Sequence, residues 1–169
     1  NPERPLPKIF RLVKNGRLIE GLYQGETLNT PSMFCVADAL DSLLWIKELG
    51  GLPETIRRSN ENFKCLQGWV DRRPWIENLV SDPSNRSNTS VCLKFSDKRF
   101  VALNQDQKNH FVKEFVGLLE AENAAFDIKG HRNAPPGLRI WCGATINLED
   151  LQKLLPWLDW CFYEIVSRY

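Results

Sequence analysis

The sequence has 169 residues, of which 43% are hydrophobic and 25% charged, and its 22 basic and 21 acidic side chains leave a net charge of +1 at pH 7. This composition is ordinary for a soluble globular protein, and so small a net charge argues against a broad nucleic-acid-binding face, which needs many basic residues. No apolar run approaches the roughly 20 residues that a membrane-spanning helix requires.

The first part of the chain predicts an extended lead-in followed by a hairpin. Residues 1–8 contain three prolines, which favour extended backbone. Asn15-Gly16 lies between two runs rich in β-forming residues, 9–13 and 17–23. A two-residue hairpin turn needs positive φ at both central positions, which Asn and Gly tolerate best. We therefore predict a β-hairpin centred on Asn15-Gly16.

A helix is predicted after Thr30-Pro31, because a hydroxyl residue followed by proline is a common helix start. The helix should end at Gly50-Gly51. Two interpretations of its start are open: Thr30 is a simple cap, or Asn29 and Thr30 give side-chain donors to an anion at the helix N-terminus. Apolar residues recur at helical spacing after this start; they are Val36, Ala39, Leu40, Leu43 and Leu44.

Residues 57–169 predict an α+β domain, and residues 1–56 are interpreted as the tail of a larger domain. Further helices are expected at 53–72, 106–122 and from Asn147 onward, and strands at 76–80, 87–95, 125–128 and 139–142. That order is typical of a mixed or antiparallel sheet with helices on one face. Pro156 should kink the last helix or cost it a hydrogen bond. The side chains of the 53–72 helix expected to point inward are Ile56, Phe63, Leu66 and Val70.

The segment from Gly130 to Cys142 concentrates the residues that bind anions. His131, Arg132 and Arg139 lie around Pro135-Pro136-Gly137. A guanidinium offers paired donors that match carboxylate and phosphate oxygens, and the prolines restrict the backbone between the donors. The residues alone leave two interpretations open: an anion-recognition loop, or a surface turn whose arginines are solvated.

The cysteines indicate a reducing compartment. There are five of them, at positions 35, 65, 92, 142 and 161. The number is odd, the spacings are wide and no C-x-x-C occurs, so the pattern supports neither a disulfide framework nor a metal site. Most have apolar neighbours and should behave as small buried hydrophobes. The cytoplasm is the expected location.

Three motifs together resemble a known family. They are Gly25-Glu26-Thr27-Leu28-Asn29-Thr30-Pro31-Ser32, Asn85-Arg86-Ser87-Asn88-Thr89-Ser90-Val91, and Gly130-His131-Arg132 followed by the run from Pro135 to Thr145. In this order they are similar to the C-terminal part of the phosphoserine aminotransferases, class V aminotransferases of fold type I that use pyridoxal phosphate. The resemblance covers essentially the whole chain. It implies the tail of a large α/β domain followed by a small α+β domain.

The resemblance also implies residue roles and partners. Asn29 and Thr30 match a pair that contacts the cofactor phosphate across the interface of a homodimer. His131 and Arg132 match residues associated with the phosphate or side-chain carboxylate of the substrate. Arg139 matches the arginine that holds the substrate α-carboxylate. The implied reaction transfers an amino group between L-glutamate and 3-phosphohydroxypyruvate, giving O-phospho-L-serine and 2-oxoglutarate in serine biosynthesis. The partners expected are small molecules, with no nucleic acid and no membrane.

The Schiff-base lysine of the family lies upstream of the Asn-Thr-Pro motif, before the first residue of this sequence. Lys8 and Lys14 do not match its motif. No catalytic residue is therefore expected in this chain, and the chain alone is expected to be inactive. Two alternatives are a different class V aminotransferase of the alanine–glyoxylate type, and a binding or dimerisation module without catalysis.

Overall fold

The computed structural model describes residues 7–169. The chain divides into two compact units, Asn1–Glu48 and Leu49–Tyr169. Most of the predicted extended lead-in lies at residues 1–6, outside the described residues. The predicted division into domains after residue 56 stays a prediction. Within residues 7–169, no helix is long and apolar enough to cross a bilayer.

The first unit contains the predicted hairpin. Strands β1 (Val13–Lys14) and β2 (Arg17–Leu18) pair antiparallel. The turn between them has positive φ at both central residues, 52° at Asn15 and 74° at Gly16, as a tight hairpin turn requires. The hairpin is confirmed, although each strand has two residues, and short 3₁₀ turns at Lys8–Phe10 and Glu20–Tyr23 replace the ends of the predicted runs.

Helix α1 (Met33–Leu49) begins later than predicted. Thr30 is not its cap; instead, the Cys35 backbone N–H donates to the Ser32 hydroxyl at 3.5 Å, and the Val36 N–H donates to the Ser32 carbonyl at 3.1 Å. The helix ends as predicted at Gly50, whose φ of 120° is left-handed, a conformation that glycine adopts without strain. None of its residues is buried.

The second unit combines four helices with a three-stranded sheet. Helix α2 (Gly51–Val70) leads to β3 (Ile76–Asn78) and β4 (Ser90–Phe95). Helices α3 (Lys98–Ala102) and α4 (Gln105–Ala121), strand β5 (Gly137–Trp141) and helix α5 (Leu148–Val166) complete it. The strand order is β3-β4-β5, and both pairings are antiparallel.

The sheet has one covered face and one open face. Buried and less buried residues alternate along β4, as expected for a strand covered on one side. The register pairs Leu93 with Leu138 and Cys92 with Arg139, so that Arg139 and Cys92 share the less buried face. The covered face carries Ile76, Asn78, Val91, Leu93, Phe95, Leu138 and Ile140.

The core lies between the covered face and the helices. Both α2 and α4 pack on α5, and their apolar side chains join those of the sheet in one cluster. Trp75 stacks on Phe162 with ring centroids 4.1 Å apart, and Phe95 meets Phe115 edge-on at 5.3 Å. Pro156 lies inside α5, as predicted. The predicted arrangement of helices on one face of an antiparallel sheet is confirmed.

Two local predictions were wrong, and one short helix was missed. Residues 125–128 do not form a strand; Asp127 has a φ of 53°, and the backbone makes one isolated bridge, between Lys129 and Leu138. Ile56 on α2 is 49% exposed and does not point into the core. Helix α3 was not predicted, because it has five residues and contributes a single buried side chain, that of Phe100.

At Gly137, the backbone of β5 leaves no room for a side chain against β4. A Cβ built at this position would overlap the carbonyl oxygen of Leu93. Because that oxygen belongs to the backbone of a central strand, it cannot move aside without disturbing the sheet. The position therefore requires glycine.

We expect Gly137→Ala to lower the free energy of unfolding by about 1–3 kcal/mol, the usual cost of forcing extra volume into a packed interior. Gly117→Ala is a matched control in α4, where a Cβ would meet nothing within 4 Å. It should raise stability by about 0.5–1 kcal/mol, because alanine is the better helix former. Urea denaturation followed by circular dichroism measures both changes. Equal effects of the two substitutions would contradict the close approach.

Candidate functional site

The segment that precedes β5 is a loop closed at its base by backbone hydrogen bonds. The Arg139 N–H donates to the Ile128 carbonyl at 2.8 Å, and the Gly130 N–H donates to the Gly137 carbonyl at 2.9 Å. The bridge between Lys129 and Leu138 lies between these bonds. The loop tip, residues 131–136, is therefore presented from a fixed base on the sheet.

His131 is held in a defined orientation within this loop. Its carbonyl accepts from the Ala134 N–H at 2.8 Å, and its Nδ1 accepts from the Asn133 N–H at 3.2 Å. A neutral imidazole whose Nδ1 accepts must carry its proton on Nε2. The Nε2–H is then a donor available to a ligand.

A cavity of about 170 Å³ lies beside the loop. Lys129, His131 and Arg132 line it, and no carboxylate does. Among the described residues, neither Arg132 nor Lys129 forms an ion pair with an acidic side chain. Cationic and donor groups without a counter-ion make this cavity suited to an anion. The remaining lining residues are Asn109, Val112, Gly130, Ala134, Pro135, Pro136 and Gly137.

Arg139 lines a different cavity, of about 330 Å³, with aromatic walls formed by Phe126 and Trp141. Its Nη2 lies 3.3 Å from Oδ2 of Asp127. The Arg139 side chain is 38% exposed and the Asp127 side chain 89% exposed, so water screens the pair, which contributes little stability. One long contact leaves most of the guanidinium donors available to a second carboxylate.

The backbone after β5 is fixed by a buried amide. Asn62 of α2 is 1% exposed, and its Nδ2 donates to the Ile146 carbonyl at 2.9 Å and to the Cys142 carbonyl at 3.3 Å. Cys142 itself is fully buried, and burial raises the pKa of its thiol to about 12. A protonated thiol is a poor nucleophile, so Cys142 is a packing residue.

Asn29 and Thr30 belong to the first unit and precede α1 in an irregular segment. Both are exposed. In the described part of the chain, neither side chain makes a hydrogen bond, whereas Ser32 caps the first turn. The first turn of α1 has no acidic residue. Free donors before a helix whose first turn has no acidic residue suit a phosphate.

The structure therefore brings two of the predicted substrate ligands together and separates the third. His131 and Arg132 share one cavity, and Arg139 lines another. Sequence reasoning missed Asp127, Lys129 and Asn109. Lys129 adjoins the Gly-His-Arg motif and could have been noticed there, whereas Asn109 comes from α4, and no local pattern connects it with the loop.

Comparison with known proteins gives consistent matches. The chain is 44% identical to the phosphoserine aminotransferase of Methanosarcina mazei over 98% of its own length and 42% of that protein. It is 43% identical to the phosphoserine aminotransferase of Methanosarcina barkeri over 95% of its length and 41% of that protein. It thus spans about two fifths of these curated relatives. No family model matches the chain.

Solved structures share the fold. The phosphoserine aminotransferase from Bacillus circulans subsp. alkalophilus has a TM-score of 0.66 at 23% identity, covering 80% of this chain and 34% of that one. The pyridoxal-phosphate-bound phosphoserine aminotransferase from Trichomonas vaginalis has a TM-score of 0.67 at 22% identity, covering 82% and 36%. These matches confirm the predicted fold class, and together with the sequence matches they confirm the resemblance.

The orientation of His131 predicts losses of different size for its two amide replacements. His131→Asn retains an acceptor near the position of Nδ1 but loses the distal donor, whereas His131→Gln retains a donor near Nε2. We expect inorganic phosphate to bind the asparagine variant about 2–10-fold more weakly, the cost of one hydrogen bond, and the glutamine variant with a smaller loss. Phosphorus NMR titration measures both affinities. A larger loss for the glutamine variant would contradict the assigned roles of the two nitrogens.

Proposed function

We propose that this chain, which is homologous to the C-terminal part of phosphoserine aminotransferases, is the substrate-binding part of an aminotransferase. The enzyme would exchange an amino group between L-glutamate and 3-phosphohydroxypyruvate, giving O-phospho-L-serine and 2-oxoglutarate for serine biosynthesis. In this proposal residues 57–169 form the small domain and residues 1–56 the end of the large domain. The enzyme would act in the cytoplasm.

One observation supports this proposal beyond the homology: the second unit has two separate cavities, each lined by at least one cationic side chain. Each substrate of the reaction has an α-carboxylate at one end and a second anionic group at the other. Arg139 lines one cavity, and His131 and Arg132 line the other. A substrate with an uncharged side chain would have no use for the second cavity, which argues against an alanine–glyoxylate type of reaction.

We assign the α-carboxylate to Arg139. The planar guanidinium can donate two parallel hydrogen bonds to a carboxylate, and its present contact with Asp127 is a single one at 3.3 Å. The cavity around it is lined by the rings of Phe126 and Trp141. Both substrates would be oriented by this contact.

Pyridoxal phosphate fits the residues before α1. The amide of Asn29 and the hydroxyl of Thr30 are exposed, and Ser32 rather than Thr30 caps the helix. Their donors are therefore available to the cofactor phosphate, with the helix N-terminus adding favourable polarity. When bound, the cofactor supplies the electron sink and carries the amino group between substrates.

The rest of the enzyme would come from outside this chain. We place the lysine that binds the cofactor covalently in the part of the protein before the Asn-Thr-Pro motif, so that the chain alone would be inactive. We also propose a homodimer in which Asn29 and Thr30 serve the cofactor of the partner subunit. Both points rest on the resemblance of these motifs to the family.

In the complete natural protein, Arg139→Ala should lower kcat/KM for glutamate and phosphoserine alike. The loss should be about 10–100-fold, because a hydrogen-bonded charge contributes about 1.5–3 kcal/mol. Steady-state kinetics of the two half-reactions measures it, with Arg99→Ala as the control, since that exposed arginine pairs with Asp97 and lies outside both cavities. Values within twofold of wild type for both substrates would refute the assignment.

Replacing Asn29 and Thr30 together by alanine should raise the dissociation constant of pyridoxal phosphate. The loss of two hydrogen bonds predicts a weakening of about 5–100-fold. Fluorescence titration of the cofactor measures it, and an unchanged melting temperature without cofactor shows that the fold is retained. Unchanged affinity for pyridoxal phosphate would show that Asn29 and Thr30 do not bind the cofactor.

The same double variant tests the shared site. Hybrid dimers with a subunit that lacks the cofactor-binding lysine carry both defects in one site and neither in the other. Activity should therefore reappear on mixing at limiting cofactor, whatever the strength of each contact. Hybrids verified by native mass spectrometry but no more active than the sum of the parents would exclude a role across the interface.

A further inference from the structure

We propose that Lys129 is a third cationic ligand of the substrate phosphate and sets the preference of the enzyme for a phosphorylated substrate. The inference rests on the proposed function and deepens it. The motif resemblance concerns His131 and Arg132, whereas Lys129 is identified by its position in the cavity that all three residues line.

The backbone fixes Lys129 next to the other two ligands. Lys129 forms a backbone bridge with Leu138. The hydrogen bonds from Arg139 to Ile128 and from Gly130 to Gly137 flank that bridge. The base of the side chain therefore has little freedom to move away from the loop. Among the residues that the structure describes, no carboxylate lies within ion-pair distance of the Lys129 amine.

The charge balance of the cavity requires a second cation. A phosphate monoester carries about 1.5–2 negative charges at pH 7. Arg132 supplies one permanent positive charge, and His131, bonded through Nδ1 to the Asn133 N–H, supplies a donor even when neutral. Lys129 provides the other full charge. Asn109 from α4 adds an uncharged amide to the same wall.

The same balance predicts selectivity between the substrates. The side-chain carboxylate of glutamate has one negative charge, which Arg132 alone can neutralise. The second charge of a phosphate needs Lys129. Removal of the Lys129 amine should therefore weaken the binding of the phosphorylated substrate more than the binding of glutamate.

The test is Lys129→Gln in the complete natural protein, with kinetics of both half-reactions. We expect KM for phosphoserine to rise about tenfold, as for loss of one charge-assisted hydrogen bond, and KM for glutamate to rise less than threefold. Lys129→Arg should return the phosphoserine value to within about threefold of wild type. Lys64→Gln is the control, because Lys64 is exposed on α2 and lies outside the cavity; it should leave both values unchanged. Equal changes for the two substrates, or none, would overturn the proposal.

Inorganic phosphate gives a readout that does not depend on the reaction. Its dissociation constant, from phosphorus NMR, should rise about tenfold in Lys129→Gln and stay constant in Lys64→Gln. Equal affinities of wild type and Lys129→Gln, or no phosphate binding at all, would overturn the role of Lys129. If the wild-type protein binds phosphate through Lys129 but does not transaminate phosphoserine, the proposed function fails and the anion site remains.

Discussion

The antiparallel pairing of β5 with β4 determines where the proposed substrate ligands of the second unit lie. Gly137 lets the two backbones approach closely at Leu93. The same strand carries Arg139 on the open face, opposite Cys92, and its first residue accepts the hydrogen bond from Gly130 that closes the loop. Both cavities therefore depend on one register, and a shift of one residue would turn Arg139 into the core.

Three short strands cannot maintain that register alone, because such a sheet needs an apolar face covered by other elements. Helices α2, α4 and α5 cover it through one apolar cluster. Its centre is aromatic, with Trp75 stacked on Phe162 and Phe95 among the neighbouring rings. The amide of Asn62 joins α2 to the backbone after β5. Packing on one face thus leaves the other face free to carry Arg139.

Elements with strong local signals could be predicted from the sequence, and those fixed by distant contacts could not. Asn15-Gly16 specifies its turn through residues that tolerate positive φ, and that hairpin is present. The segment 125–128 is mostly apolar, as a strand would be. However, Asp127 adopts a left-handed conformation and pairs with Arg139, which lies twelve positions later in the chain. The cavity lined by Lys129, His131 and Arg132 shows the same limit. The Gly-His-Arg motif indicates the loop that forms one wall of this cavity, whereas Asn109 lines it through the packing of α4.

The two cavities differ in a way that matches the two ends of the proposed substrates. Arg139 already has a carboxylate neighbour in Asp127 and aromatic walls, so the net charge it offers is small and its planar donors give mainly orientation. The other cavity has cationic side chains and no acidic residue in its lining, so its uncompensated charge favours the more highly charged group. Under the proposed function, a carboxylate would be recognised by geometry at the first site, and a phosphate by charge at the second. A substrate bound in the reverse direction would place its phosphate, the more highly charged group, beside Asp127 and its carboxylate in the cavity that has no acidic residue, which is the less favourable arrangement. Under this proposal, the distribution of charge in the second unit would set the direction in which a substrate is held.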